Sequence, residues 1–325
     1  RRCRAVSCMN DVSDRSATGV ERSAPSTERS DAWRERLLAL LLRLISLLPL
    51  PIAHGIGWLV GYALIRIPNK QRRNALINIR LCHPELTEEQ ARAFRDRSFI
   101  AYGKTYAEIA YLWQRPVARV LGLVRGATGL DLLERREGEG LIVLSPHLGA
   151  WELAGLYLST LGPTTTLYRA QPVGDRLVRR ARGRGGAQLV PTDQHGIRRL
   201  LQTLRQGGYV GILPDQQPKA ARGSVFAPFF GVPAFTMLLV SRLARKTGSR
   251  VVFLFAERLP KAKGFHLHCL PAPEGIDADD DVTAATALNL GVERCIRVCP
   301  EQYLWAYKRF RSRPDGSPHP YRGPL

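Results

Sequence analysis

From Pro116 onward, short apolar runs alternate with stretches of helical periodicity, and this order constrains the fold more than any other feature. The strand-like runs are Leu141 to Leu144, Thr164 to Tyr168, Gln188 to Val190, Tyr209 to Leu213, Arg250 to Ala256 and Phe265 to Leu270. Helical patterns follow over 151–160, 174–182, 195–206, 236–247 and 283–299. Strands joined through helices cannot pair as hairpins. Each helix carries the chain back across the sheet and sets the next strand parallel to the last. The expected fold is therefore α/β, a mostly parallel central sheet flanked by helices. At 325 residues the chain can bury a core of that size.

The chain ahead of this region changes character at Leu37. Residues 1–31 are rich in Ser, Arg, Asp and Glu without periodicity and read as a disordered tail, with Met9 the expected start of translation. LLALLLRLISLLPLPI, Leu37 to Ile52, is sixteen residues with one charge, Arg43, and it runs through His54 into GIGWLVGYALIRI. A single span needs about 20 apolar residues, so 37–67 together are long enough, but Pro49 and Pro51 should kink or divide them. No small-residue cleavage site follows, which argues against a signal peptide. Residues 32–68 are thus expected to form a membrane anchor, either a kinked membrane helix or a hairpin or in-plane segment with Arg43 snorkelling; a buried soluble helix is the alternative. Arg34 and Arg36 precede the run and Arg66, Lys70, Arg72 and Arg73 follow it. The large Arg-rich portion comes after it and is expected on the cytoplasmic side. That portion is one body over 69–314 with a short tail at 315–325, opening with helical pattern over 69–114 and a capping-box spacing at Thr87 to Gln90.

The net charge of +20 implies an anionic partner: lipid, phosphorylated substrate or acidic protein. Nucleic acid receives no support, since basic and aromatic residues do not interleave and no zinc-finger spacing occurs. The six cysteines lack C-x-x-C pairs, which fits a reducing compartment. Cys295 and Cys299, four apart on a helical pattern, fit either packing or a metal pair.

Three constellations carry chemistry. In LIVLSPHLGAWELAG, a buried strand ends in Ser145-Pro146 and presents His147 on the turn, with Glu152 five residues on at a helix start. Two helical residues five apart would diverge by roughly 140°, so they meet only with His147 on the turn and Glu152 on the first helical turn. Such a pair is a base backed by a carboxylate, or else a structural cap. HxxxxE is not a zinc spacing, and the chain lacks a G-x-S-x-G elbow, so a base acting on a substrate hydroxyl fits better than a covalent nucleophile. The second constellation is basic: Arg169, then Arg176, Arg179, Arg180, Arg182 and Arg184, with glycines at 183, 185 and 186 that would permit close approach to a ligand. A solvated helix face is the other reading. In the third, GYVGILPDQQP, a buried strand delivers Asp215 and Gln216 at its carboxyl end, where open α/β sheets place their sites; Asp215 is otherwise a turn cap. An apolar loop follows at 226–234, suited to lining a hydrocarbon channel or to packing beneath the site.

Taken in order, HLGAWE, Tyr168-Arg169, R-x-R-G at Arg182 to Gly185, Pro214-Asp215-Gln216, FFGVPAFT at 229–236 and PEQYLWAYKRFRSRP at 300–314 resemble the late acyltransferases of lipid A biosynthesis, the lauroyl/myristoyl type. The resemblance covers about 32–314 and departs at Ala170, where the family often has proline. Acyltransferases of mannosylated phosphoinositides look similar around HxxxxE, but the PDQ and KRF elements favour the lipid A branch.

The resemblance implies a glycerolphosphate-acyltransferase-like fold and transfer of a fatty acyl chain from an acyl-carrier-protein thioester to a hydroxyl of an anionic lipid A precursor. It implies no cofactor or metal, and a place at the inner bacterial membrane. His147 would be the general base with Glu152 holding its tautomer, and backbone N–H groups near Gly149 and Ala150 would form the oxyanion hole. Arg184 and Arg182, with Arg169, Asp215 and Gln216, would contact the substrate. Tyr303, Trp305, Lys308 and Arg309 fit a packed terminal strand or an interfacial belt. A thioesterase or lipid hydrolase, and a non-catalytic basic lipid-binding protein, are the rival classes.

Overall fold

The computed structural model describes residues 37–170, 174–218 and 223–322. The polar tail read at 1–31, with Arg34 and Arg36, lies outside the described residues. The sheet forms around β2 (Leu141–Leu144), whose four residues are all buried. Its neighbours are β5 (Tyr209–Ile212) and β8 (Arg250–Arg258), both parallel to it. Beyond β5 come β3 (Thr164–Tyr168) and β4 (Gln188–Pro191), also parallel; beyond β8 come β9 (Phe265–Pro271), antiparallel, and β1 (Val124–Thr128). The order is β1-β9-β8-β2-β5-β3-β4.

Period-two alternation splits each central strand between two cores. Ile142 and Leu144 join Val210, Ile212, Phe253 and Phe255 on one face, while Leu141 and Val143 join Val252, Leu254 and Ala256 on the other. Helices cover both faces. The first is packed by α3 (Lys70–Cys82), α8 (Gln194–Arg205), α9 (Leu239–Thr247) and α10 (Asp281–Val298); the second by α5 (Val117–Leu121) and α6 (Trp151–Ser159). Cys295 and Cys299 are buried in the first core, among Val292, Ile296 and Phe253. The six predicted strands and the mostly parallel sheet are found; β1 was not foreseen. The segment at 226–234 is a β-hairpin rather than a loop, β6 (Ser224–Phe229) and β7 (Val232–Met237), turning at Phe230 and Gly231 with φ of 49° and 76°.

The long α4 (Glu88–Gln114) opens with the expected capping box: Thr87 and Gln90 exchange backbone–side-chain bonds of 2.8 and 3.2 Å. Ahead of it, Pro49 divides the apolar stretch into α1 (Leu37–Leu47) and α2 (Leu50–Arg66). No single helix among the described residues is long and apolar enough to cross a membrane. Instead α2 lies against α4 with their backbones in contact. A Cβ on Gly61 would strike the Phe99 carbonyl, and one on Gly103 the Gly57 carbonyl, so only glycine permits this approach. His54 of α2 comes within 2.5 Å of the buried Glu108 of α4, which also pairs with Arg258 at 2.6 Å. The opposite side is apolar and bare: Leu37, Leu40, Leu41, Leu44 and Leu47 of α1, and Ile52, Leu59 and Val60 of α2, are 46–60% exposed. The C-terminal segment packs without forming a strand. Tyr303, Trp305, Phe310 and, past the expected tail boundary, Tyr321 are buried in the first core.

Candidate active site

Strand β2 ends at Leu144, and α6 begins at Trp151 on the same edge of the sheet. The turn between them is tied from both sides. Leu304 N–H donates to the His147 carbonyl (3.1 Å), Gly149 N–H to the Gln302 carbonyl (3.1 Å) and Ala150 N–H to the Ala256 carbonyl (2.8 Å). Gly149 needs its φ of 58°, and a Cβ there would strike the Ala256 carbonyl. The expected oxyanion hole is therefore not available at these positions, because both N–H groups already donate to carbonyls of the fold.

His147 meets Asp215, not Glu152. Because β2 and β5 are register neighbours, Leu144 beside Ile212, the segments leaving them emerge side by side. Asp215 Oδ1 stands 2.9 Å from His147 Nδ1, and its Oδ2 accepts the His147 backbone N–H at 3.2 Å. Asp215 is 3% exposed. Burial works to raise its carboxyl, but the adjacent imidazole and the bonds from His147 outweigh burial and hold it below the usual carboxylate range. Tyr303 closes the far side; burial, with the Asp215 charge close by, pushes its hydroxyl upward. A carboxylate at Nδ1 places the ring proton there and leaves the Nε2 lone pair outward. At Nε2 the Gln216 carboxamide nitrogen is 3.2 Å away.

Glu152 does occupy the first turn of α6, as expected, but points elsewhere. It accepts Arg182 Nη2 at 2.5 Å and Nε at 3.1 Å, Trp113 Nε1 at 3.0 Å and Trp151 Nε1 at 3.2 Å. Burial raises its pKa, yet Arg182 and the two indoles prevail and lower it. Arg182, on α7 (Asp175–Gly183), is thus the partner of Glu152 rather than an open substrate arm. Arg184 is likewise occupied. Its guanidinium donates to the carbonyls of Leu112, Trp113 and Arg115, which the end of α4 leaves without helical partners. The glycine after it serves packing: a Cβ on Gly185 would strike Ser159 Oγ at the end of α6. Arg169 lies exposed just past β3.

The β6–β7 hairpin does not line a channel. Phe229 is 1% exposed and packs on Tyr303, Phe310 and the buried Arg309, which bonds the Phe235 carbonyl at 2.6 Å. The apolar space lies on the other face of the sheet, beneath α6. It measures about 60 Å³ and is lined by Leu156, Leu158, Leu189, Gly211 and Leu254, with Glu152 and Arg182 among its walls. Ser145 Oγ, also in the lining, is buried without a hydrogen-bond partner. Among the described residues no group of His, Cys, Asp or Glu could hold a metal ion. The site holds a histidine paired with a buried aspartate, and an apolar space lies beneath α6.

The missed partners had faint signals. Asp215 was singled out, but as a substrate contact; Tyr303 stood only as an aromatic in the terminal segment.

Residues 22–312 match the family described as bacterial lipid A biosynthesis acyltransferase. Among curated relatives, the lipid A biosynthesis lauroyltransferase of Escherichia coli is 29% identical over 86% of this chain and 92% of its own length. The palmitoleoyltransferase and myristoyltransferase of the same organism are each 30% identical, over 83% and 84% of this chain and 88% and 84% of theirs. A match of that extent, on a chain whose sheet presents a histidine and an aspartate paired at adjoining strand ends, places this protein in the bacterial lipid A biosynthesis acyltransferase family, and it is an O-acyltransferase.

Proposed function

We propose that the protein transfers a fatty acyl chain from an acyl-carrier-protein thioester to a hydroxyl of a lipid A precursor, with His147 as general base oriented by Asp215. The observation that carries this is the pair of contacts at 2.9 and 3.2 Å that fix His147 Nδ1 on Asp215 and turn Nε2 toward Gln216. The acceptor hydroxyl displaces the Gln216 amide and gives its proton to Nε2 as its oxygen attacks the thioester carbonyl. The new C–O bond forms, and the tetrahedral oxyanion collapses with cleavage of the C–S bond. The imidazolium returns the proton to the departing sulfur, leaving ester and carrier thiol. Asp215 stabilises the imidazolium without itself accepting the proton. The Gln216 carboxamide, released from Nε2, is then free to donate to the developing oxyanion.

Glu152 supports this site indirectly, by locking Arg182, Trp113 and Trp151 into the wall of the apolar space. The bare apolar residues of α1 and α2 suit an in-plane seat in the inner membrane, with the Arg-rich body on the cytoplasmic side toward the acidic carrier. The test uses purified full chain in detergent with labelled acyl-carrier-protein thioester, with and without lipid A precursor. Label should enter the precursor only when both are present, and His147→Ala should abolish it while the melting curve is kept. Free fatty acid released without acceptor would instead establish a thioesterase.

A further inference from the structure

We propose that the groove between α2, the start of α3 and α4 binds the phosphate headgroup of an anionic membrane phospholipid. The groove has a volume of about 500 Å³ and shares no lining residue with the cavity beneath α6. Four arginines face it against one carboxylate, Asp96. Arg95 answers that carboxylate at 2.6 Å, which leaves the charges of Arg66 and Arg72 for a ligand. Arg72 is the pointed observation: its Nε is buried and has no hydrogen-bond partner. A buried guanidinium nitrogen left in that state is costly, and a phosphate oxygen pair is the acceptor that fits its planar fork. Arg97 reaches Glu301 at 3.1 Å but stays 60% exposed, so it can turn to an anion without leaving a buried charge behind.

The apolar surroundings select a lipid over free phosphate. Trp58 and Tyr62 stack at 5.2 Å on the groove's rim, and Arg66 sits 4.8 Å over the Tyr62 ring. Rings of this kind, apolar in body and polar at the tip, favour the level of the headgroups. The same helix bares Ile52, Leu59 and Val60, and α1 bares its leucines, so acyl chains would continue from the headgroup along a surface already apolar. The groove runs on into a second cavity of about 520 Å³ through shared Trp58, Arg97 and Ile100, where Lys104 and Lys261 add cations. Lys261 and Ala262 there hold φ of 56° and 54°, two successive left-handed residues without a glycine. The proposal rests on the in-plane seat of α1 and α2 but not on the acyl-transfer reaction.

Flotation of the full chain with phosphatidylcholine vesicles, with and without phosphatidylglycerol, tests it. Arg66→Gln/Arg72→Gln/Arg97→Gln is compared with Arg119→Gln/Arg198→Gln/Arg294→Gln, which removes equal charge from exposed positions outside the groove. Wild type and the control should bind the phosphatidylglycerol vesicles about tenfold more tightly than the neutral ones. The groove variant should bind both alike, its retained neutral binding reporting an intact apolar face. If the triple variant aggregates, Arg66→Gln/Arg97→Gln, both exposed, carries the same comparison. No preference in wild type, or equal loss in groove and control variants, overturns the proposal. So does a rise in KM for lipid A precursor in detergent matching the lost vesicle preference, which would assign the groove to the acceptor's own phosphate.

Discussion

At His147 one ring nitrogen faces the Asp215 carboxylate and the other the Gln216 carboxamide, so in the proposed reaction the tautomer and the direction of proton transfer are set together. Asp215→Asn keeps the size of the side chain but lets Nδ1 become the acceptor and turns the proton toward Nε2. We expect kcat to fall by about a thousandfold or more with little change in acceptor KM, read by steady-state transfer kinetics. Glu152→Gln should act on stability first, because it leaves the partly exposed Arg182 without its counter-charge, at about 1–3 kcal/mol. The pH dependence follows in sign. Glu152 in the fold lies below its ordinary 4.5, so its stabilisation is complete above that value and is lost as pH falls through the lower, folded one. Thermal melts of wild type and Glu152→Gln should therefore differ most near neutrality and converge as pH falls below 4.5 and through the lower, folded value. The sequence showed His147 and Glu152 because five positions separate them; Asp215 is 68 positions away, and its pairing depends on β5 lying next to β2. That adjacency skips β3 and β4 in the chain, and nothing local encodes it.

Among elements, the readable ones were those whose pattern is set by burial on both faces. β2, β5 and β8 are apolar runs between turns, and the core they fill requires that pattern. β1, VRGAT, is an edge strand with two buried-side positions at most, so its sequence carries little hydrophobic signal. The β6–β7 hairpin hides behind Pro228 and Pro233, which face each other across a two-stranded ribbon where missing donors cost little. The division at Pro49 was legible because proline ends a helix by its own geometry. The glycine crossing of α2 on α4 had a visible signal too, the G-x-x-x-G spacing of Gly57 and Gly61. Helix α6 offers a test of the apolar space it roofs. Gly155 lines that space, and a Cβ there would meet nothing within 4 Å. Gly155→Ala should stabilise the fold by about 0.5–1 kcal/mol through helix propensity alone, measured by thermal unfolding. Gly155→Met, which extends into the space, should shift a competition among acyl-carrier-protein donors toward shorter chains if the acyl group enters there.

The whole molecule combines bare apolar helices with a large positive charge, and the reaction proposed needs both. α1 and α2 leave Leu37, Leu40, Leu41, Leu44, Leu47 and Leu59 exposed, and the chain as a whole carries +20. A charge of that size raises the encounter rate with an acidic carrier protein but acts over only about 8 Å at physiological ionic strength. Salt should therefore lower kcat/KM for the carrier-bound donor by about tenfold between dilute buffer and strong salt, with kcat changing far less. Detergent-dispersed acceptor at saturation keeps membrane effects out of the measurement. The same acyl group on a small neutral thiol supplies the control, since it has no charge to be steered and its kcat/KM should stay flat. Equal salt responses for the two donors would place the effect on the acceptor or on the fold. A flat response for both would mean that the positive field plays no part in donor capture, and that the Arg-rich surface acts on the membrane side alone.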